Sequence, residues 1–69
     1  MNGFTRGLIG KPSEEDRVSA RKVLGRLAAD NKRGSIPSIQ TRITRNIAGG
    51  LSRTEAEEEA YRFFYNGGY

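Results

Sequence analysis

The side chains in this sequence with the means to do chemistry are two runs of adjacent carboxylates, Glu14-Glu15-Asp16 and Glu57-Glu58-Glu59, and a block of arginines between them. Two carboxylates can divide acid and base work when both project into one water-poor pocket that pushes their pKa values apart. Consecutive residues on a helix point about 100° apart around its axis, so neither run aims two groups at one spot. Both runs stand where helices are expected to begin, and negative charge is favoured there by the helix dipole. The chain has no Cys and no His, which removes the thiol nucleophile, the imidazole base and nearly every zinc-type ligand set. Neither a glycine-rich phosphate loop nor an H-E-x-x-H segment is present. The expectation is a protein with no catalytic residues, no metal site and no cofactor.

The arginines are more informative. From Arg17 to Arg53 nine basic residues stand against one acid, Asp30, so this stretch carries +8, with −1 over residues 1–16 and −3 over residues 54–69 to give +4 in all. Nine of the twelve bases are Arg, whose planar fork suits phosphate or carboxylate bidentately. A positive field this concentrated points to an anionic partner. Arg17 and Arg21 are a helical turn apart, Arg42 and Arg45 are neighbours of the same kind, and Lys32-Arg33 lies between the two pairs. Arg17, Arg21, Arg26, Arg33, Arg42 and Arg45 are therefore the candidate contacts to nucleic-acid phosphates, contacts that hold a strand without reading its sequence. The competing reading of the same residues is a solvated face, or arginines paired inside the fold with the acids near the C-terminus.

These side chains must be held by helices, since apolar residues recur at helical and not at alternating spacing. A first helix is capped by Ser13, which follows Pro12 and precedes Asp16 by three residues. Its inward stripe is Ala20, Val23, Leu24, Leu27 and Ala28, and it should stop around Asp30–Asn31. A second helix begins at about Ser35 or Ser38, with Pro37 in its first turn where a missing N–H costs nothing. Its seam is Ile36, Ile39, Ile43 and Ile47, with Gln40, Arg42, Arg45 and Asn46 outward, and Gly49-Gly50 ends it. The third opens on Ser52-Arg53-Thr54-Glu55, a full capping box that Leu51 can staple onto Ala56. It turns Ala56, Ala60, Phe63 and Phe64 inward and stops at Asn66-Gly67-Gly68. The fold class is all-α: a small three-helix module over residues 13–66, an extended N-terminal arm over residues 1–12 and a Gly/Tyr tail over residues 67–69.

The segment Ile43 to Phe63 is superficially similar to a helix-turn-helix, with a glycine turn and a capped second helix. That second helix opens on Glu55, Glu57, Glu58 and Glu59, which would face phosphate, so ordinary helix packing is the better reading.

Sixty-nine residues build a thin core, and with no disulfide or metal the remaining sources of stability are a partner or self-association. The arm carries Phe4, Leu8 and Ile9 among glycines, and Tyr61, Tyr65 and Tyr69 exceed what so small a body can bury. These six mark a candidate protein interface, with packing on the chain's own helices as the equal alternative for Phe4, Leu8 and Ile9. Aromatic side chains also stack on single-stranded nucleic acid, but commonly on sheets and OB folds, so the C-terminal run is assigned to protein contact.

Two functions follow as expectations. The first is a non-enzymatic small basic helical protein that binds nucleic-acid phosphates. The alternative is a protein–protein module, either a small regulator of a larger machine or a structural component of an assembly such as a virus particle, with a homo-oligomer as one form of it. No leader-like or membrane-length apolar run is present, so the expected location is intracellular (cytoplasmic) or the virion interior, without secretion or a membrane.

Overall fold

The computed structural model describes residues 13–67 and contains α1 (Glu14–Ala29), α2 (Ile36–Ala48) and α3 (Arg53–Tyr65), each packed against the other two. The all-α, three-helix architecture expected from the periodicity is the one found. Residues Phe4, Leu8, Ile9 and Tyr69, with the rest of the arm, lie outside the described residues. Among those described, no helix is long and apolar enough to cross a membrane.

Serine opens every helix. Ser13 Oγ accepts from the Asp16 N–H at 3.1 Å, Ser35 Oγ from the Ser38 N–H at 3.3 Å and Ser52 Oγ from the Glu55 N–H at 3.1 Å. At α3 the Ser52 N–H donates back to Glu55 Oε1 at 3.0 Å, completing the capping box. Pro37 occupies the first turn of α2, where its missing N–H leaves nothing unpaired. The stops are equally specific. After α1, Asn31 takes a left-handed conformation with φ 59°, its N–H bonding Ala28 O and the Lys32 N–H bonding Leu27 O. Gly50, at φ 105°, ends α2 with the equivalent pair of bonds to Ile47 O and Asn46 O. Both are Schellman motifs, which bind the last carbonyls of a helix and reverse the chain.

Between α1 and α2 the chain crosses the core edge at Gly34. A Cβ there would meet Ile39 Cδ1 at 3.1 Å and Leu27 Cδ1 at 3.3 Å, so a larger residue would have to push these two core side chains aside by a few tenths of an ångström.

The fully buried hydrophobic residues are Ala20, Val23 and Leu27 of α1, Ile39 and Ile43 of α2, and Ala56 and Ala60 of α3. Leu24, Ile36, Ile47, Tyr61 and Phe64 pack around them while partly exposed. Four expectations need correction. Ala28 is exposed, because the α1 stripe is rotated toward Asp16 and Ser19, both buried. Gln40 is buried between Ile36 and Ile43 on the seam, with Nε2 reaching Ser13 O at 3.4 Å. Asn46 is half-buried, its amide donating to Ala56 O at 3.2 Å and Glu59 Oε1 at 2.8 Å. Phe63 is not core: it is half-buried at the rim of α3, edge-on to Phe64. In each case a polar group has found a partner that makes its burial tolerable, or an aromatic ring has been left outside a core closed by alanines.

Because the Ser52–Glu55 box satisfies two N–H groups at the start of α3, Ser52→Ala is expected to cost about 1 kcal/mol. That corresponds to a fall in Tm of roughly 4–8 °C for a domain this small. A thermal melt followed by circular dichroism reads it, and an unchanged Tm would show the box to be energetically idle.

Candidate nucleic-acid interface

The charge layout is organised by α3. Its buried face is Ala56 and Ala60, which lets the helix lie close against α1 and α2. The adjacent acids then reach out on either side. Glu57 accepts from Ser19 Oγ at 2.6 Å and lies 3.8 Å from Lys22 Nζ, while Glu58 accepts from Arg26 Nη1 at 2.6 Å, both toward α1. Glu59 points to α2, where Arg42 meets it with a two-point fork, Nε at 3.0 Å and Nη2 at 2.6 Å. The directions that rule out an acid–base pair make this run a clamp on two helices.

A second polar cluster, continuous with the first through Ser19, joins the same helices. Asp16, almost fully buried, accepts from Thr44 Oγ1 at 2.6 Å and from Arg53 Nη1 at 2.8 Å. Arg53 Nη1 also lies 3.1 Å from Ser19 Oγ, and Nη2 lies 3.3 Å from Glu15 Oε1. Burial pushes the Asp16 carboxyl up, but the hydrogen bonds from Thr44 and Arg53 outweigh it and hold the group below its ordinary value of 3.8. Glu59 is likewise held below its ordinary 4.5, chiefly by the Arg42 hydrogen bond, against the opposing effect of burial. Among the described residues no buried side-chain polar atom lacks a partner.

The six arginines predicted to meet phosphate thus divide. Arg26 is tied to Glu58, with its guanidinium 4.0 Å from the centroid of the Tyr61 ring. Arg42 is tied to Glu59 and lies 3.7 Å from the centroid of the Phe63 ring. Arg17, Arg21, Arg33 and Arg45 are exposed and make no ion pair among the described residues. Arg17 is nine residues from Arg26, about two and a half turns, so Arg17 and Arg21 point away from the α3 side of α1. They do not share a surface with Arg45, which stands on the flank of α2 nearest α3.

Around that flank runs an open groove of about 420 Å³ between α2 and α3. Pro37, Phe63 and Phe64 give it apolar walls, Ser38 and Thr41 supply hydroxyls, and Arg42 and Arg45 supply charge. Phe64 also borders a second hollow of about 330 Å³, where Lys32 and Arg33 of the α1–α2 connection meet Tyr65. Lys32 Nζ sits 4.5 Å from the Tyr65 ring centroid. The two hollows therefore adjoin, and their walls hold four cations, three aromatic rings and no carboxylate. The first turn of α2, which opens onto the groove, contains no acid, so its dipole adds to the positive potential.

The predicted interface tyrosines are partly built into the fold. Tyr61 donates to the Asp30 carboxylate, which raises the phenol pKa, and stands 5.6 Å from Tyr65 between ring centroids. Tyr65 remains 41% exposed.

No known protein family, curated protein or solved structure matches this chain.

Sequence reasoning did not find the Asp16–Thr44–Arg53 cluster. The signal was there: Asp16 is four residues before Ala20 on the stripe that continues through Val23 and Leu27, and a carboxylate on a buried stripe requires a base. The aromatic wall of the groove is not evident from the sequence, because helical spacing alone puts Phe63 in the core.

Since Asp16 and Glu59 are both depressed in the folded state, the unfolded chain binds more protons just below their ordinary values. Their contribution is present above those values and fades as pH falls through the folded ones. Thermal stability should therefore decline on acidification between about pH 5 and 3. Asp16→Asn with Glu59→Gln should be less stable at neutral pH and lose stability less steeply on acidification. Parallel curves for the variant and the natural chain would remove these carboxylates as the source.

Proposed function

We propose that this protein is a non-enzymatic, nucleic-acid-associated module that holds phosphates on the surface formed by the α1–α2 connection, α2 and the end of α3. The observation that carries the reading is the pair of adjoining hollows whose walls gather Lys32, Arg33, Arg42 and Arg45 with no carboxylate. Elsewhere Lys22, Arg26 and Arg53 sit beside acids of α3 and α1 that cancel them. Arg33 and Arg45 reach phosphate directly. Arg42 keeps its fork on Glu59 and contributes through its remaining surface, and Arg26 is committed to Glu58. Arg17 and Arg21, on the far side of α1, add to the long-range field that draws a polyanion in.

The alternative, a protein-docking module, is favoured by a different observation. Val18 is 45% exposed beside a hollow between α1 and α3, and Leu51 and Tyr65 are exposed as well. These residues are scattered, and isolated exposed apolar side chains are ordinary on a protein surface. The concentrated cations are less ordinary.

The test is binding of a labelled DNA or RNA of mixed sequence, measured by fluorescence anisotropy over a range of salt. Phosphate contacts release counterions, so affinity should fall steeply with salt and vary little with sequence. Arg33→Gln with Arg45→Gln removes two exposed charges without disturbing an ion pair. It should weaken binding to all sequences alike and shrink the slope of log K against log salt by roughly 1.5–2. If the natural chain binds neither single strands nor duplex at physiological salt, the nucleic-acid reading falls and the protein-docking one takes its place.

A further inference from the structure

We propose that the α2–α3 groove is a base-stacking subsite for single-stranded nucleic acid, with the guanidinium of Arg42 as the platform and Arg45 and Arg33 holding the neighbouring phosphates. The inference rests on the nucleic-acid reading above and makes it specific to unpaired strands.

Arg42 gives the side-on edge of its guanidinium to Glu59, Nε and Nη2 both donating, so the plane is held at that edge. Asn46 Nδ2 holds Glu59 Oε1 at 2.8 Å, fixing the carboxylate in turn. One face of the guanidinium lies against the Phe63 ring, 3.7 Å from its centroid. The plane is thus fixed at its edge by a carboxylate and on one side by an aromatic ring. The side chain as a whole is 29% exposed and lines the groove. A planar cation fixed in this way is a flat, weakly hydrated surface on which a nucleobase stacks, and it costs little conformational entropy because the side chain is already ordered.

The rest of the groove fits the same ligand. Pro37, Phe63 and Phe64 offer apolar walls to the base, and Thr41 and Ser38 carry hydroxyls that can reach its polar edge or the sugar. Arg45, one turn along α2 from Arg42, is exposed and makes no ion pair among the described residues. Arg33 lies across Phe64 in the adjoining hollow, so phosphates on either side of a stacked base would find a cation each. A duplex keeps its bases inside its own stack and could present only its backbone here.

Three probes of equal length test this with the full chain: a 12-nucleotide oligothymidylate, an abasic deoxyribose-phosphate strand, and a 12-base-pair duplex. The natural chain should bind oligothymidylate about tenfold more tightly than the abasic strand, the gain expected from stacking one or two bases. Arg42→Lys keeps the charge and the reach to Glu59 but removes the plane. It should bring the ratio of oligothymidylate to abasic affinity from about ten down to about one, whatever it does to abasic binding itself. Should that variant unfold, the natural chain still decides by NMR: the Phe63 ring and Arg42 Nε–H resonances should shift on adding oligothymidylate and stay in place with the abasic strand. Equal affinity for the oligothymidylate and abasic strands, or preference for the duplex, overturns the base-stacking subsite while phosphate binding stands. Failure to bind any of the three overturns phosphate binding as well.

Discussion

The structure depends on how α3 is attached. Its only fully buried residues are two alanines, which allow close approach but bury little apolar surface, and the large side chains of the core come from the other two helices. Attachment is therefore shared with polar contacts: Glu57 and Glu58 on α1, Glu59 on α2, and Arg53 on the acids at the start of α1. Exposed ion pairs are individually weak. The Arg42–Glu59 fork and the Arg53–Asp16 contact are less exposed, and each is tied into further hydrogen bonds, from Asn46 to Glu59, from Thr44 to Asp16 and from Arg53 to Ser19. Side chains shared in this way order one another, so the later contacts cost less entropy than the first.

That manner of attachment also decides where charge is left over. A run of sequence with +8 suggests a uniformly positive body, yet Lys22, Arg26, Arg42 and Arg53 are each answered by a carboxylate. Apart from Arg17 and Arg21 on α1 and Arg62 on α3, what survives is local. The groove beside α2 and the connection before it keep their cations because Glu59, the one acid of α3 that leans toward α2, is consumed by Arg42. The same contact that anchors the helix thus leaves Arg45, Arg33 and Lys32 without a competing acid, and an anion meets them with little internal rivalry.

The helices were legible because their signals are local. Ser13, Ser35 and Ser52 cap, Pro37 needs no partner and Gly50 accepts a left-handed turn, all within a few residues of chain. The Ile39–Ile43 seam and the Val23–Leu27 stripe followed from period alone. The partners of polar residues were not legible, since these are set by rotation of one helix against another. Asp16 and Gln40 sit on buried stripes in the sequence, but only the packed bundle brings Thr44, Arg53 and the Ser13 carbonyl to them. The arginine face failed to read as one surface for the same reason: residues nine apart on α1 point in opposite directions. Phe63 misled because apolar character at helical spacing does not distinguish a core position from a rim one. Here the alanines close the core first, and the ring is left to Arg42.

That displacement of Phe63 changes what Arg42 can be. An arginine on a polar surface moves among rotamers and meets phosphate as a mobile charge, whereas one laid on an aromatic ring and forked onto a carboxylate presents a fixed plane. Lysine would preserve the ion pair with Glu59 and the net charge, but it would leave the Phe63 ring under a compact, strongly hydrated ammonium in place of a flat cation. What Arg42 supplies and Lys would not is thus a matter of shape. A fixed cationic plane is the shape that the proposed stacking of a base requires.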